Sequence, residues 1–431
     1  MKTYSVSKVN FAACAGMAFF GVAMLSLGAI LPPLKVAVPE AIGLPPIMSV
    51  GIIIGTIFFG PVMDRFGYKW LLIASSFLLM IGLLGLAAGA HVGLQHNAVL
   101  NILRVSIFLV GLGGGVLNGE TNALVSDIYD DAQRGSKLSV LGACYCIGAL
   151  LWTLACFAAS GMFFEFAGIV ANGYQFCLIV FSIIMAGLII FFICTTFPDA
   201  KLKANSNDSV EPAKNVAEEV NFWNSFKFIK YPALVLVAIV LFFQSALEGV
   251  SGSYTTTFLT ATPGGLAAGP ATLSLTMFTI GMMAGRFALG ALMKKMQAIM
   301  VLNFYMVVGV IGAILMSFLP ASITAVYISM ILLGFGVGAT YPVMLNYLGG
   351  IFRRQSGAAF SLAIFIALCG QFLGNFFVGK MFTTQSVFSG IFKFFPIVMG
   401  VFILIIIAIA PVAAKKCDKT KQENEQKGIK L

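Results

Sequence analysis

Twelve apolar runs, each long enough to cross a bilayer as a helix, exclude most folds before any motif is considered. They cover about residues 9–31, 43–63, 69–90, 101–126, 138–160, 173–196, 232–258, 271–293, 297–319, 322–346, 356–378 and 388–413. A helix rises about 1.5 Å per residue, so about 20 apolar residues cross the hydrocarbon core. Lipid offers no hydrogen-bond partners, so each run must satisfy its own backbone, which a helix does. The expected fold class is all-α, a polytopic membrane protein of twelve transmembrane helices. Composition agrees: 59% of the 431 residues are hydrophobic and only 10% charged, too few polar groups to coat a soluble core of this size. The run from Val9 to Leu31 is longer than a secretory signal needs and is followed by others, so it reads as a retained first helix.

Most connections are short, which in lipid implies antiparallel neighbours. The exception is 197–231, whose polar stretch Lys201 to Glu219 reads as a solvated linker. It divides the chain into two six-helix halves, 1–196 and 232–413, followed by a basic tail, 414–431. An internal repeat supports two pseudo-symmetric halves. Gly111-Leu112-Gly113-Gly114-Gly115 in the fourth run has its counterpart in Gly334-Phe335-Gly336-Val337-Gly338 in the tenth. Each is followed about twenty residues later by a basic turn, Arg134-Gly135-Ser136 and Arg354-Gln355-Ser356. Glycine spacing alone would only permit close helix packing; its common place in both halves favours duplication, the usual construction of secondary transporters.

The formal net charge of +10 might suggest nucleic acid, but its placement points to topology. Assigning both termini and every even-to-odd loop to one side puts Lys2, Lys8, Arg65, Lys69, Arg134, Lys137, the linker lysines, Lys294, Lys295, Arg353, Arg354 and six tail lysines together. The other side keeps Lys35, Arg104, Lys380 and Lys393. By the positive-inside rule the crowded side is cytoplasmic. The expected place is the bacterial inner membrane, both termini cytoplasmic, with no nucleic-acid partner.

Other chemistries find little support. The eight cysteines are scattered without metal or disulfide spacing and read as small buried hydrophobes. The two histidines, His91 and His96, share one loop, which leaves little scope for a histidine metal site. Gly111–Gly115 is not a phosphate loop, because no strand precedes it and no lysine follows. No cofactor, no metal and no enzyme activity are expected, and energy would come from ion gradients.

The strongest local signal is Gly60-Pro61-Val62-Met63-Asp64-Arg65-Phe66-Gly67-Tyr68-Lys69, between runs two and three. It resembles the signature loop of the major facilitator superfamily: a glycine, then Asp-Arg, then glycine and a basic residue. The second half offers a degenerate copy, Gly281, Gly285, Arg286, Gly290 and Lys294. The resemblance covers the chain from Val9 to about Ala413 and implies a gate at Gly60, Asp64, Arg65, Gly67 and Arg286. Several stretches further resemble the fucose–proton symporter family: Leu117 to Asn122, Ala246 to Tyr254, Gly285-Arg286-Phe287 and Gly334 to Pro342. This implies a proton-coupled sugar carrier. Two positions depart from that family: Gly28 or Ala29 stands where its first helix often has an acid, and Asn118 stands where its fourth run has one.

Ionisable residues inside spans cost roughly 2.5–3.5 kcal/mol or more and mark function by default. Gln244, Glu248, Ser251 and Thr255 step by four, three and four, forming one polar stripe on run seven. Such a stripe could bond sugar hydroxyls, with Glu248 exchanging protons, or Glu248 could bond a neighbouring helix for packing. Asn118 and Asn122 share a face, and Gln371 and Asn375 repeat the spacing on run eleven. Glu120 lies about 200° from either asparagine, at 100° per residue; it is either a proton site or a gate acid paired with a loop arginine. Trp152 could stack on a sugar ring, or it could pack. Arg104, near the outer end of run four, reads as snorkelling or pairing.

The expectation is a monomeric secondary transporter of a small polar solute, a sugar, with its site between the halves near the midplane and protons as coupling ion. The alternatives are a proton-driven exporter of amphipathic compounds and an uncoupled sugar uniporter.

Overall fold

The computed structural model describes residues 4–89, 96–129, 131–166, 169–198, 226–262, 264–352, 356–383 and 395–426; the side chains of 59–65, 131–132, 134–136, 164–166, 169–171, 356–358, 382–383 and 425–426 fall outside that description. Among the described residues, twelve helices are long and apolar enough to cross a membrane. They are α1 (Val6–Ala37), α2 (Pro39–Phe58), α3 (Phe66–Gly89), α4 (His96–Ile128), α5 (Lys137–Ala158) and α6 (Gly173–Cys194), then α7 (Pro232–Ala261), α8 (Ala268–Leu292), α9 (Ala298–Phe318), α10 (Ile323–Ile351), α11 (Ala359–Met381) and α12 (Phe395–Asn424). Each overlaps one expected run. The chain is an all-α, polytopic integral membrane protein.

The chain separates into two compact units, Met1–Glu218 and Glu219–Leu431. Within the first, α1 packs on α5 and α4, α2 and α3 pack on α4, and α3 meets α6. Within the second, α7 packs on α11 and α12, α8 and α9 pack on α10, and α9 meets α12. Four pairings correspond, α1–α5 with α7–α11, α2–α4 with α8–α10, α3–α4 with α9–α10 and α3–α6 with α9–α12, whereas α7 packs on α12 far more than α1 does on α6. The glycine repeat therefore reflects a repeated packing plan.

Lipid removes the hydrophobic drive between helices, so backbones must approach closely to gain dispersion and polar contacts. A Cβ at Gly148 on α5 would collide with the Ala18 carbonyl of α1; one at Gly334 on α10 would collide with the Phe278 carbonyl of α8. Gly370 on α11 faces the Phe242 carbonyl of α7 in the same way.

Four features differ from the sequence expectation. The expected loop between runs two and three is helical, and Leu44–Gly89 is continuous except at Gly67, whose φ of 78° and ψ of 167° belong to backbone that glycine tolerates best. The tenth span is broken, with helical pieces Ile323–Val337 and Thr340–Ile351. Pro342 brings no N–H to the new first turn, where one is not needed. A small antiparallel hairpin, Phe163–Phe166 with Ile169–Asn172, joins α5 to α6. The last helix runs to Gln426, because the lysines, glutamates and glutamines of the tail are good helix formers.

Candidate solute and coupling site

The polar stripe of α7 is assembled as a stripe but is not equally accessible. From Gln244 to Leu259 every residue is buried except Glu248, which is half-buried. Gln244 is fully buried, and its Nε2 donates to the Val337 carbonyl at 3.1 Å. That carbonyl closes the first piece of α10, so the side chain caps the break; Gln244 Oε1 has no partner. Ser251 Oγ donates to Met399 Sδ of α12 at 3.2 Å, and the Thr255 hydroxyl is buried without a partner.

Two elements complete the surroundings of Glu248. From α10, the Tyr341 hydroxyl shares a 2.6 Å hydrogen bond with Ser245 Oγ and lies within electrostatic reach of Glu248. From α11, Gln371 and Asn375 press against Gly249: a Cβ there would stand 2.6 Å from Gln371 Cγ and 3.4 Å from Asn375 Nδ2. The Tyr254 hydroxyl donates to the Asn375 carbonyl at 2.9 Å. Residue 249 must be small for α11 to bring both amides to α7. Sequence reasoning missed Ser245 and Tyr341. The Gly338–Pro342 interval was the available signal, since a glycine and a proline four residues apart favour a helix break.

In the N-terminal half, Asn118 and Asn122 share a half-buried face of α4, and Asn122 Nδ2 donates to the Asn118 carbonyl at 2.8 Å and to its Oδ1 at 3.2 Å. Thr121 turns toward α1, its hydroxyl bonding the Leu117 carbonyl and lying 3.6 Å from Met17 Sδ. Glu120 stands on another face. It is fully buried, and neither carboxyl oxygen has a hydrogen bond. The backbone at Leu72 of α3 lies beside it, outside hydrogen-bonding geometry.

Trp152 is fully buried on α5, donates Nε1 to the Leu25 carbonyl of α1 at 3.0 Å, and meets Phe181 edge-on at 5.2 Å. With its donor and ring so engaged, it pins α1, α5 and α6 together. The gate residues Gly60, Asp64 and Arg65 fall where side chains are not described. Gly67 forms the non-helical junction already noted, and Arg286 is half-buried on α8 beside Gly338 at the α10 break. Arg104 pairs with Asn101 at 3.4 Å. No group of three or more metal-ligating side chains exists among the described residues.

Two six-helix bundles that share a packing plan and carry carboxyls inside their spans have the architecture of a membrane transporter. The chain belongs to the major facilitator superfamily: the family model of that name matches residues 9–323 and 265–430. Among solved structures, that of a D-xylose–proton symporter aligns with a TM-score of 0.75 at 15% identity, covering 94% of this chain and 97% of that one. A bacterial homologue of the human lysosomal transporter Spinster, solved inward-facing and unoccupied, aligns at 0.69 and 15%, covering 96% and 98%. The Escherichia coli fucose:proton symporter aligns at 0.62 and 16%, covering 94% and 98%. At these identities the likeness is one of fold. No curated protein matches the sequence.

Proposed function

We propose that the chain carries a neutral polar solute, a sugar, across the bacterial inner membrane by alternating access, driven by protons that titrate Glu248. The observation that carries this reading is the accessibility pattern of α7: along Gln244–Leu259 only Glu248 is not buried. A carboxyl left half-open in the middle of a span, within a stretch that is otherwise buried, is costly unless the cycle uses it. The Ser245–Tyr341 pair lies within its electrostatic reach, and Gln371 and Asn375, both buried, pack against the adjacent Gly249; such neutral donors and acceptors suit a polyol better than an ion. Asn118 and Asn122 are the corresponding neutral ligands of the N-terminal half. That two proton-coupled sugar symporters share the fold fits this substrate class and ion. Gln244 contributes indirectly, by fixing the α10 break that places Tyr341.

The charge pattern supports cytoplasmic termini and a cytoplasmic 197–231 linker; the family resemblance supports gating at the Gly60–Gly67 segment and Arg286, and the proposed carrier acts as a monomer. The test is uptake of labelled monosaccharides into proteoliposomes with and without an imposed pH gradient. Saturable accumulation of one sugar, dependent on the gradient, supports the reading; flux of lipophilic cations alone would replace it with the exporter.

A further inference from the structure

If Glu248 serves the solute cycle, Glu120 remains as a carboxyl without a task. Its position on α4 is set by three contacts with α3, seven residues apart. Gly113 packs on the Ser75 carbonyl, where a Cβ would stand 2.6 Å away. Glu120 lies beside Leu72, and Asp127 accepts a 2.6 Å hydrogen bond from the Tyr68 hydroxyl. Seven residues are nearly two full turns, about 10.5 Å, so the three share one stripe. Tyr68 directly follows Gly67, the junction of α2 and α3. Ser76, one turn beyond Leu72, also buries its hydroxyl without a partner. The middle of the α3–α4 contact therefore buries an acid whose oxygens have no hydrogen-bond partner among the described residues.

We propose that Glu120 is a proton-operated latch on the α3–α4 contact, engaged when its carboxyl is neutral and released when it ionises. A neutral acid lets the helices close without water. A carboxylate at the same point demands solvation, draws water between the helices, and loosens the Tyr68–Asp127 rung with the Gly67 junction beyond it. Only an O–H bond is made or broken, and the proton exchanges with water. The latch rests on the proposed proton-driven cycle for its purpose, while its geometry stands apart from it.

Among the described residues, the titratable groups around Glu120 are few. On α3 these are Tyr68, bonded to Asp127, and Lys69, whose Nζ donates to the Ile193 carbonyl of α6. On α4 itself there is Asp127. Along the part of α1 that meets α4 at Gly16 and Met17, Cys14 is the nearest and contacts Cys144 of α5. Lys137 of α5 sits over the Tyr129 ring, past Asp127. From Gly51 to Phe58, α2 carries no titratable residue.

Hydrogen exchange on the full-length protein in nanodiscs tests this, following peptides that cover Tyr68–Ser76 and Gly113–Asp127 from about pH 5 to about pH 9, corrected for the intrinsic rise in exchange. Protection in the wild type should fall at least about tenfold as pH rises. Glu120→Gln should stay protected throughout, at the wild-type acid level, and Asp127→Asn should keep the pH dependence. A protein-wide infrared titration guards against misfolding of the glutamine variant: the wild type should show a neutral-carboxyl band that fades with the same midpoint as the protection. Wild-type protection that ignores pH, a glutamine variant that still responds, or loss of the response in Asp127→Asn alone would each overturn the latch. Failure of sugar uptake with the exchange pattern intact would sink the transport reading and leave the latch standing.

Discussion

The two intramembrane acids lie in opposite settings, one in each half. Glu120 is sealed in a helix contact, its oxygens unpaired and its neighbour on α3 a backbone. Glu248 is the half-buried point of the Gln244–Leu259 stretch of α7, within electrostatic reach of Tyr341 and next in the chain to Gly249, against which α11 packs Gln371 and Asn375. The same side chain is thus fully buried in one half and half-buried in the other. Close helix approach accompanies both: Gly113 admits the Ser75 carbonyl of α3 on the stripe that holds Glu120, and Gly249, next to Glu248, admits Gln371 and Asn375 of α11.

The comparison can be broken hardest by forcing the helices apart. Leucine at Gly148 or Gly370 meets a backbone carbonyl of the facing helix, and each should cost about 3 kcal/mol or more, read as a sharp fall in thermal unfolding temperature and in folded yield. Replacing the acids with leucine should then separate them. Glu120→Leu removes a buried polar group that has no partner, so stability should rise by about 1 kcal/mol, while Glu248→Leu should leave stability little changed and abolish solute binding by calorimetry. Gln244→Leu loses the bond to Val337 and frees the end of the broken helix, a loss of about 1 kcal/mol with weakened solute affinity through Tyr341. Trp152→Phe should cost about 0.6 kcal/mol, the usual worth of a hydrogen bond between spans, and should leave uptake at wild-type rates. Least affected should be Glu423→Ala, which breaks an exposed 3.9 Å pair with Lys419 and should change the unfolding temperature within error.

The fold was legible in the sequence because lipid imposes one dominant rule, and every run of about twenty apolar residues became a helix. The stripe on α7 followed from helical spacing alone, as did the divergence of Glu120 from Asn118 and Asn122. What spacing could not reveal was the partner of each face. Trp152 looks like a sugar platform until Leu25 and Phe181 are seen to occupy it. Gln244 looks like a solute ligand until the α10 break supplies its acceptor. Tyr341 was invisible because its role depends on that break, and a glycine–proline interval permits a break without requiring one. The hairpin between α5 and α6 is too short, and too rich in phenylalanine, to stand out from the spans on either side.

The central claim is that Glu248 couples solute movement to protons, and one measurement tests it most directly: gradient-driven uptake by wild type and Glu248→Gln in proteoliposomes, alongside exchange of labelled for unlabelled sugar with no gradient. The account predicts that the variant loses accumulation at least about tenfold, an effect above about 1.4 kcal/mol, while exchange persists. Accumulation undiminished in the variant would contradict it.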